Sequence, residues 1–182
     1  GSGLGNSWDC RAAGSSTNSL VVSAFSANGT GGYTAARVND QSGNGFGVSH
    51  NGELGGSPDH AMDSFNSSFD LFLFRFTGAP VQLNSLTIGW SRDRDFQVLA
   101  WLGLGAPTLA GATAGSLLSP TGWRLTDAVN GPGTGGTSND ADATFNVNSA
   151  RVPAQAQQLI GTLALTQLQF TAKRIGADRP LD

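Results

Sequence analysis

The sequence predicts an all-β fold, a jelly-roll-like β-sandwich of about eight to ten short antiparallel strands with one or two short helical turns. Three observations predict it. Short apolar stretches alternate along the whole chain with Gly, Ser, Asn and Pro punctuation. Glycine is abundant, at 26 of 182 residues, while charged residues make up only 13%. The charges are also of the wrong kind for helices: one Lys (Lys173) and one Glu (Glu53), against nine Arg and twelve Asp. Lys and Glu suit exposed helical faces, whereas Asp suits turns and hard cations.

The strands follow in order. Residues 19–27 carry Leu20, Val21, Val22 and Phe25, and the glycine-rich run at 28–32 turns the chain. Residues 33–38 and 46–49 are two further candidates. Ser57, Pro58 and Asp59 have the types of a helix N-cap, first position and first turn, so 57–63 reads as one helical turn. Residues 69–76 form the strongest strand, with Phe69, Leu71, Phe72, Leu73, Phe74 and Phe76 in a near-continuous apolar run. Such a run suits a strand buried on both faces.

In 81–90, Val81 and Leu83 share one parity, while Leu86, Ile88 and Trp90 share the other. The switch predicts a bulge or a change of sheet near Asn84 and Ser85. Residues 96–104 place Phe96, Val98, Ala100 and Leu102 on one face, and Leu99 and Trp101 on the other. The small, Ala-rich stretch 107–118 reads as a short helix or a loop. Residues 123–129, 143–147, 159–165 and 168–173 complete the strands, with a long glycine-rich loop at 130–141. The whole chain, 1–182, reads as one domain, with 1–18 as an N-terminal extension and 175–182 as a tail.

Composition excludes several functions. The net charge is −3 and no basic stripe exists, so nucleic acid is a poor partner. No apolar run approaches the length of a membrane span. The single cysteine, Cys10, has no internal partner. It is either an intermolecular or free thiol, or a small buried side chain. The run Gly131-Pro132-Gly133-Thr134-Gly135-Gly136 fits G-x-G-x-x-G, but no helix follows to hold a pyrophosphate. Only His50 and His60 could serve as a catalytic base, and no G-x-S-x-G is present. Two His and a distant Cys do not make a zinc site. No enzyme is expected.

The carboxylates are more informative. Asp59, Asp63 and Asp70 flank a polar loop, and Asp93 and Asp95 sit in a turn with Arg92 and Arg94. Calcium takes six to eight oxygens from such loops. These five Asp residues are the expected calcium ligands; the competing reading is that they pair with the arginines and cap turns. Trp90, Trp101 and Trp123 lie in strands and Trp8 lies near the N-terminus. Exposed on one face they would stack on sugar rings, but such residues are more often core, and Trp90 and Trp101 are expected there.

Five segments recur in an ordered series: 44–48, 57–63, 70–76, 81–90 ending Ile88-Gly89-Trp90, and 93–100. In motif, order and spacing, residues 44–103 resemble exosortase-dependent (PEP-CTERM type) bacterial surface proteins. Ser64 departs from the Asn usual at its position, the last third of the chain matches poorly, and the family's sorting tail does not follow Asp182. The resemblance implies export and an extracellular or cell-surface location, and it implies no reaction. The expected function is a secreted structural or adhesive protein of the bacterial surface or extracellular matrix. It would self-associate into filaments by strand addition, through edge strands or the segment 1–27. The alternatives are a calcium-dependent module that binds extracellular polysaccharide, and a hydrolase of matrix polymer using His60.

Overall fold

The computed structural model describes residues 2–3, 5–11, 16, 18–28, 31–40, 45–50, 68–77, 81–88, 96–101, 106–117, 122–129, 143–146, 158–163 and 168–174. Among them are thirteen strands and one short helix. The fold is all-β and antiparallel. The strands outnumber the eight to ten expected because three of the extra ones are short and polar. Two are the pairs β1 (Ser2–Gly3) and β4 (Thr34–Ala35), and the third is β2 (Ser7–Arg11). Neither β1 nor β2 carries the apolar alternation that marks a strand in sequence, and β4 is one part of the single candidate 33–38, which the structure divides after Ala35. Residues 2–11, read from sequence as an extension, supply one strand to each sheet.

The other strands are β3 (Asn18–Asn28), β5 (Arg37–Asp40), β6 (Phe46–Ser49), β7 (Ser68–Phe76), β8 (Val81–Ile88) and β9 (Phe96–Trp101). After them come β10 (Trp123–Val129), β11 (Ala143–Asn146), β12 (Gln158–Leu163) and β13 (Leu168–Arg174). One sheet has the order β1-β5-β6-β13-β8-β11. The other runs β10-β9-β12-β7-β3-β2, with β4 also on β3. The bulge expected in β8 is present. The β13 register steps from Ser85 to Leu83 and leaves Asn84 unmatched.

The second sheet is buried on two faces, and its register assigns residues to each. Val22, Ala24 and Ser26 on β3 stand opposite Phe74, Phe72 and Asp70 on β7. All six are buried, as are Val98 and Ala100, which share their parity across β12. Strands β5 and β6, with the fully buried Val38 and Val48, touch β3 and β7. The opposite parity carries Ala27, Leu71 and Leu99. These pack with Tyr33, Leu109, Leu117 and Trp123 into a second core.

Residues 106–117 roof that second core. Tyr33 holds them there through its backbone, donating its N–H to the Ala112 carbonyl at 2.7 Å and accepting from the Gly111 N–H at 2.9 Å. The roof ends in a single helical turn, α1 (Ala114–Leu117). Thr113 caps it: its Oγ1 accepts from the Ser116 N–H at 3.2 Å, and Ser116 Oγ accepts in return from the Thr113 N–H at 2.9 Å. This reciprocal pair satisfies two donors that a helix start leaves orphaned. The helical turn expected at 57–63 lies outside the described residues. No helix among the described residues is long and apolar enough to cross a membrane.

Candidate functional site

The cleft that stands out lies at the β9–β10 end of the second sheet, under the roof. Trp101 and Trp123 are direct cross-strand partners, so their side chains share a face. Their rings lie 5.0 Å apart at 54°. Ala106, Thr108, Ala112, Ser116 and Leu117 supply the other wall. The cavity between them is about 330 Å³. Small-ligand sites run from about 300 to 1,000 Å³, so this one suits a single ring.

One glycine shapes the cleft. Gly122 has φ +104°, and a Cβ there would stand 2.7 Å from the Trp101 ring. The absence of a side chain lets that indole lie over the chain. Trp123 is 9% exposed and Trp101 is half-buried, so one ring forms the floor and the other meets solvent. The Ser116 hydroxyl is engaged with Thr113, donating to its carbonyl at 2.9 Å. Thr108 is exposed at the rim and provides a hydroxyl. The arrangement offers aromatic faces with a sparse polar edge, which is a surface for stacking and not for acid–base chemistry.

The expected calcium ligands are divided. Asp70 lies inside β7, fully buried, directly opposite Ser26. A cation there would have to be buried with it. Asp59, Asp63, Asp93 and Asp95 lie outside the described residues, as do His60, Trp90, Arg92 and Arg94. Among the described residues, no three His, Cys, Asp or Glu side chains gather as a metal-binding group. His50 follows β6 and is half-buried. Trp8 is 42% exposed on β2, remote in register from the Trp101–Trp123 pair.

Sequence reasoning missed Tyr33. It is fully buried, and its hydroxyl hydrogen-bonds to nothing among the described residues. Burial, reinforced by the negative Asp70, pushes its phenol from 10.0 up to about 12. An unfolded tyrosine ionises near 10, so between pH 10 and 12 the folded chain keeps a proton that the unfolded chain loses. Stability is therefore intact below pH 10 and falls by roughly 2–3 kcal/mol as pH rises through 12. Tyr33→Phe should remove that alkaline loss and add about 1 kcal/mol at neutral pH, by deleting a buried, unbonded hydroxyl. Urea unfolding from pH 8 to 12 measures both effects. Cys10 also titrates in this range, pushed up to about 11 by burial and then by Asp9. The series therefore belongs in a Cys10→Ser background.

Comparison with protein-family models, with curated proteins and with solved structures gives no match for this chain.

Proposed function

We propose that this chain is a secreted, non-catalytic domain of a bacterial surface or extracellular matrix, built as a jelly-roll-like β-sandwich, that adheres by stacking a sugar ring in the Trp101–Trp123 cleft. The cleft carries the reading. The solvent-facing indole of Trp101, backed by Trp123 at 54°, presents the flat apolar surface that the C–H face of a pyranose covers. A cavity of about 330 Å³ takes one residue of a polysaccharide and leaves the rest of the polymer outside. The low charge and the turn-rich composition fit an extracellular β-domain. The ordered motifs of residues 44–103, in their resemblance to exosortase-dependent surface proteins, supply the address. Calcium belongs to the proposal through the carboxylates of Asp59, Asp63, Asp93 and Asp95.

The test is a titration of bacterial matrix polysaccharides and their component sugars, followed by indole fluorescence, with calcium and with chelator. Binding should be weak for single sugars, in the range of about 0.1–10 mM, and should blue-shift the emission. Trp101→Ala should weaken it about tenfold, the worth of one lost aromatic contact of about 1.4 kcal/mol. Silence across the polysaccharides, with unchanged attachment of the Trp101→Ala protein to matrix, would sink the reading.

A further inference from the structure

We propose that β2 is a self-pairing edge: two copies of the chain join their larger sheets antiparallel, across a two-fold axis at Cys10. The inference goes beyond the sugar-binding reading and does not depend on it. Among the described residues, strand β2 ends its sheet, paired to β3 on one side only. Ser7, Trp8, Asp9 and Arg11 are exposed, and only Cys10 is half-buried. Natural edge strands are usually blunted by proline, lysine or a bulge, because a bare edge templates pairing. Here the one register step falls on the β3 side, where Leu20 and Asn18 match consecutive residues Cys10 and Arg11. The outer edge of β2 is left regular.

Backbone polarity restricts the register. The Asn6 carbonyl accepts from the Ala24 N–H at 3.0 Å. In an antiparallel ladder, the residues whose amides and carbonyls face one neighbour alternate with those that face the other. Asn6, Trp8 and Cys10 therefore spend their backbone groups on β3, while Ser7, Asp9 and Arg11 turn theirs outward. A second copy must pair outward residues with outward residues. This leaves symmetric registers centred on Ser7, Trp8, Asp9, Cys10 or Arg11, of which the one on Ser7 pairs a single residue of the strand.

Charge then selects one. Centring on Asp9 or on Arg11 sets like charges directly opposite each other, which destabilises a sheet. Centring on Trp8 sets Asp9 against Ser7. Centring on Cys10 sets Asp9 against Arg11 twice, once on each side of the axis. Asp9 and Arg11 are both exposed on this strand. The occupant of this edge is therefore a second copy of the chain.

The overlap is a few residues long, below the area of a stable interface, so the dimer is of the weak, density-dependent class. Its geometry has a use. The Trp101–Trp123 cleft lies at the β10 end of the sheet and β2 at the other. Pairing at β2 places two clefts at the far ends of one continuous sheet, and two linked sites bind a polymer more tightly than either alone.

The experiment uses the full chain in sedimentation velocity, from micromolar to millimolar, with charge-swap variants. Asp9→Arg and Arg11→Asp should each weaken the dimer about tenfold, and the double swap should restore it. Salt at 0.5 M should weaken the wild-type dimer. Diamide provides a register test. Two Cys10 thiols would lose two hydrogens to it, forming one disulfide and reducing the diamide to its hydrazine. At this axis they form a non-hydrogen-bonded pair with Cα atoms about 4.5 Å apart, within disulfide reach. A covalent dimer should appear for the wild type and the double swap, and much less for either single swap. Circular dichroism confirms that each variant folds. A chain monomeric throughout with no crosslink, single swaps without effect, or a ladder of higher oligomers would overturn the proposal.

Discussion

Gly32→Ala should destabilise the protein by about 3–5 kcal/mol. A Cβ built on Gly32 would lie 2.5 Å from the Cα, carbonyl carbon and oxygen of Gly111. Those are backbone atoms, so no side-chain rotation relieves the overlap. One strand of chain must move away from the other, and the two hydrogen bonds between Tyr33 and residues 111–112 stretch with it. Overpacking costs about 1–3 kcal/mol, and each lost buried hydrogen bond adds about 1 kcal/mol. The loss would also lift the roof, with Leu109 and Leu117, away from Leu71 and Leu99 and open the Trp101–Trp123 cleft. Gly115→Ala is the matched control. Nothing lies within 4 Å of its added methyl, and it sits in α1. It should be neutral or stabilise by up to about 1 kcal/mol. Thermal and urea unfolding of the two variants give the comparison.

Phe72→Ala should cost about 3–5 kcal/mol, the usual range for a fully buried phenylalanine. Phe72 is among the largest fully buried side chains. Its neighbours in register are small, Ala24 on β3 and Gly161 on β12, which leaves width for the ring. Phe74 lies against it at 5.7 Å between ring centroids, tilted by 58°. Truncation would remove that contact and leave a cavity that strand backbones cannot close. Phe69, on the same strand, is 42% exposed. Phe69→Ala should cost under about 1 kcal/mol. Urea midpoints for the two alanine variants should therefore separate clearly, although sequence presents the two phenylalanines as equals.

That pair also shows what periodicity reveals and what it leaves out. The apolar run 69–76 announced a strand, and the parity change in 81–90 announced the bulge at Asn84, because both are local properties of the chain. Neither tells which partner lies beside a residue. Ser26 and Asp70 are polar at positions that register buries, and the sequence offers no sign of it. The roof was unreadable for a related reason. Residues 106–117 have no period of their own, and their place is set by two backbone hydrogen bonds to Tyr33. Trp101 and Trp123 were both visible as strand tryptophans. Their becoming a cleft depended on β9 pairing with β10 and on a glycine at 122 that no pattern demanded.

The order in which the strands are filled has a consequence for the nascent chain. Strand β12 lies between β9 and β7, and β13 lies between β6 and β8. Both interior places are taken by residues 158–174, which leave the ribosome long after their neighbours. Until then neither sheet is continuous, and the partners of β7 and β9 are missing along whole edges. At about 5–20 residues per second, the stretch from β9 to β12 takes roughly 3–12 s to synthesise. For that interval each sheet stays divided into two parts, with β3 and β7 separated from β9 and β10, and β5 and β6 separated from β8. Completion of both sheets waits for residues 158–174.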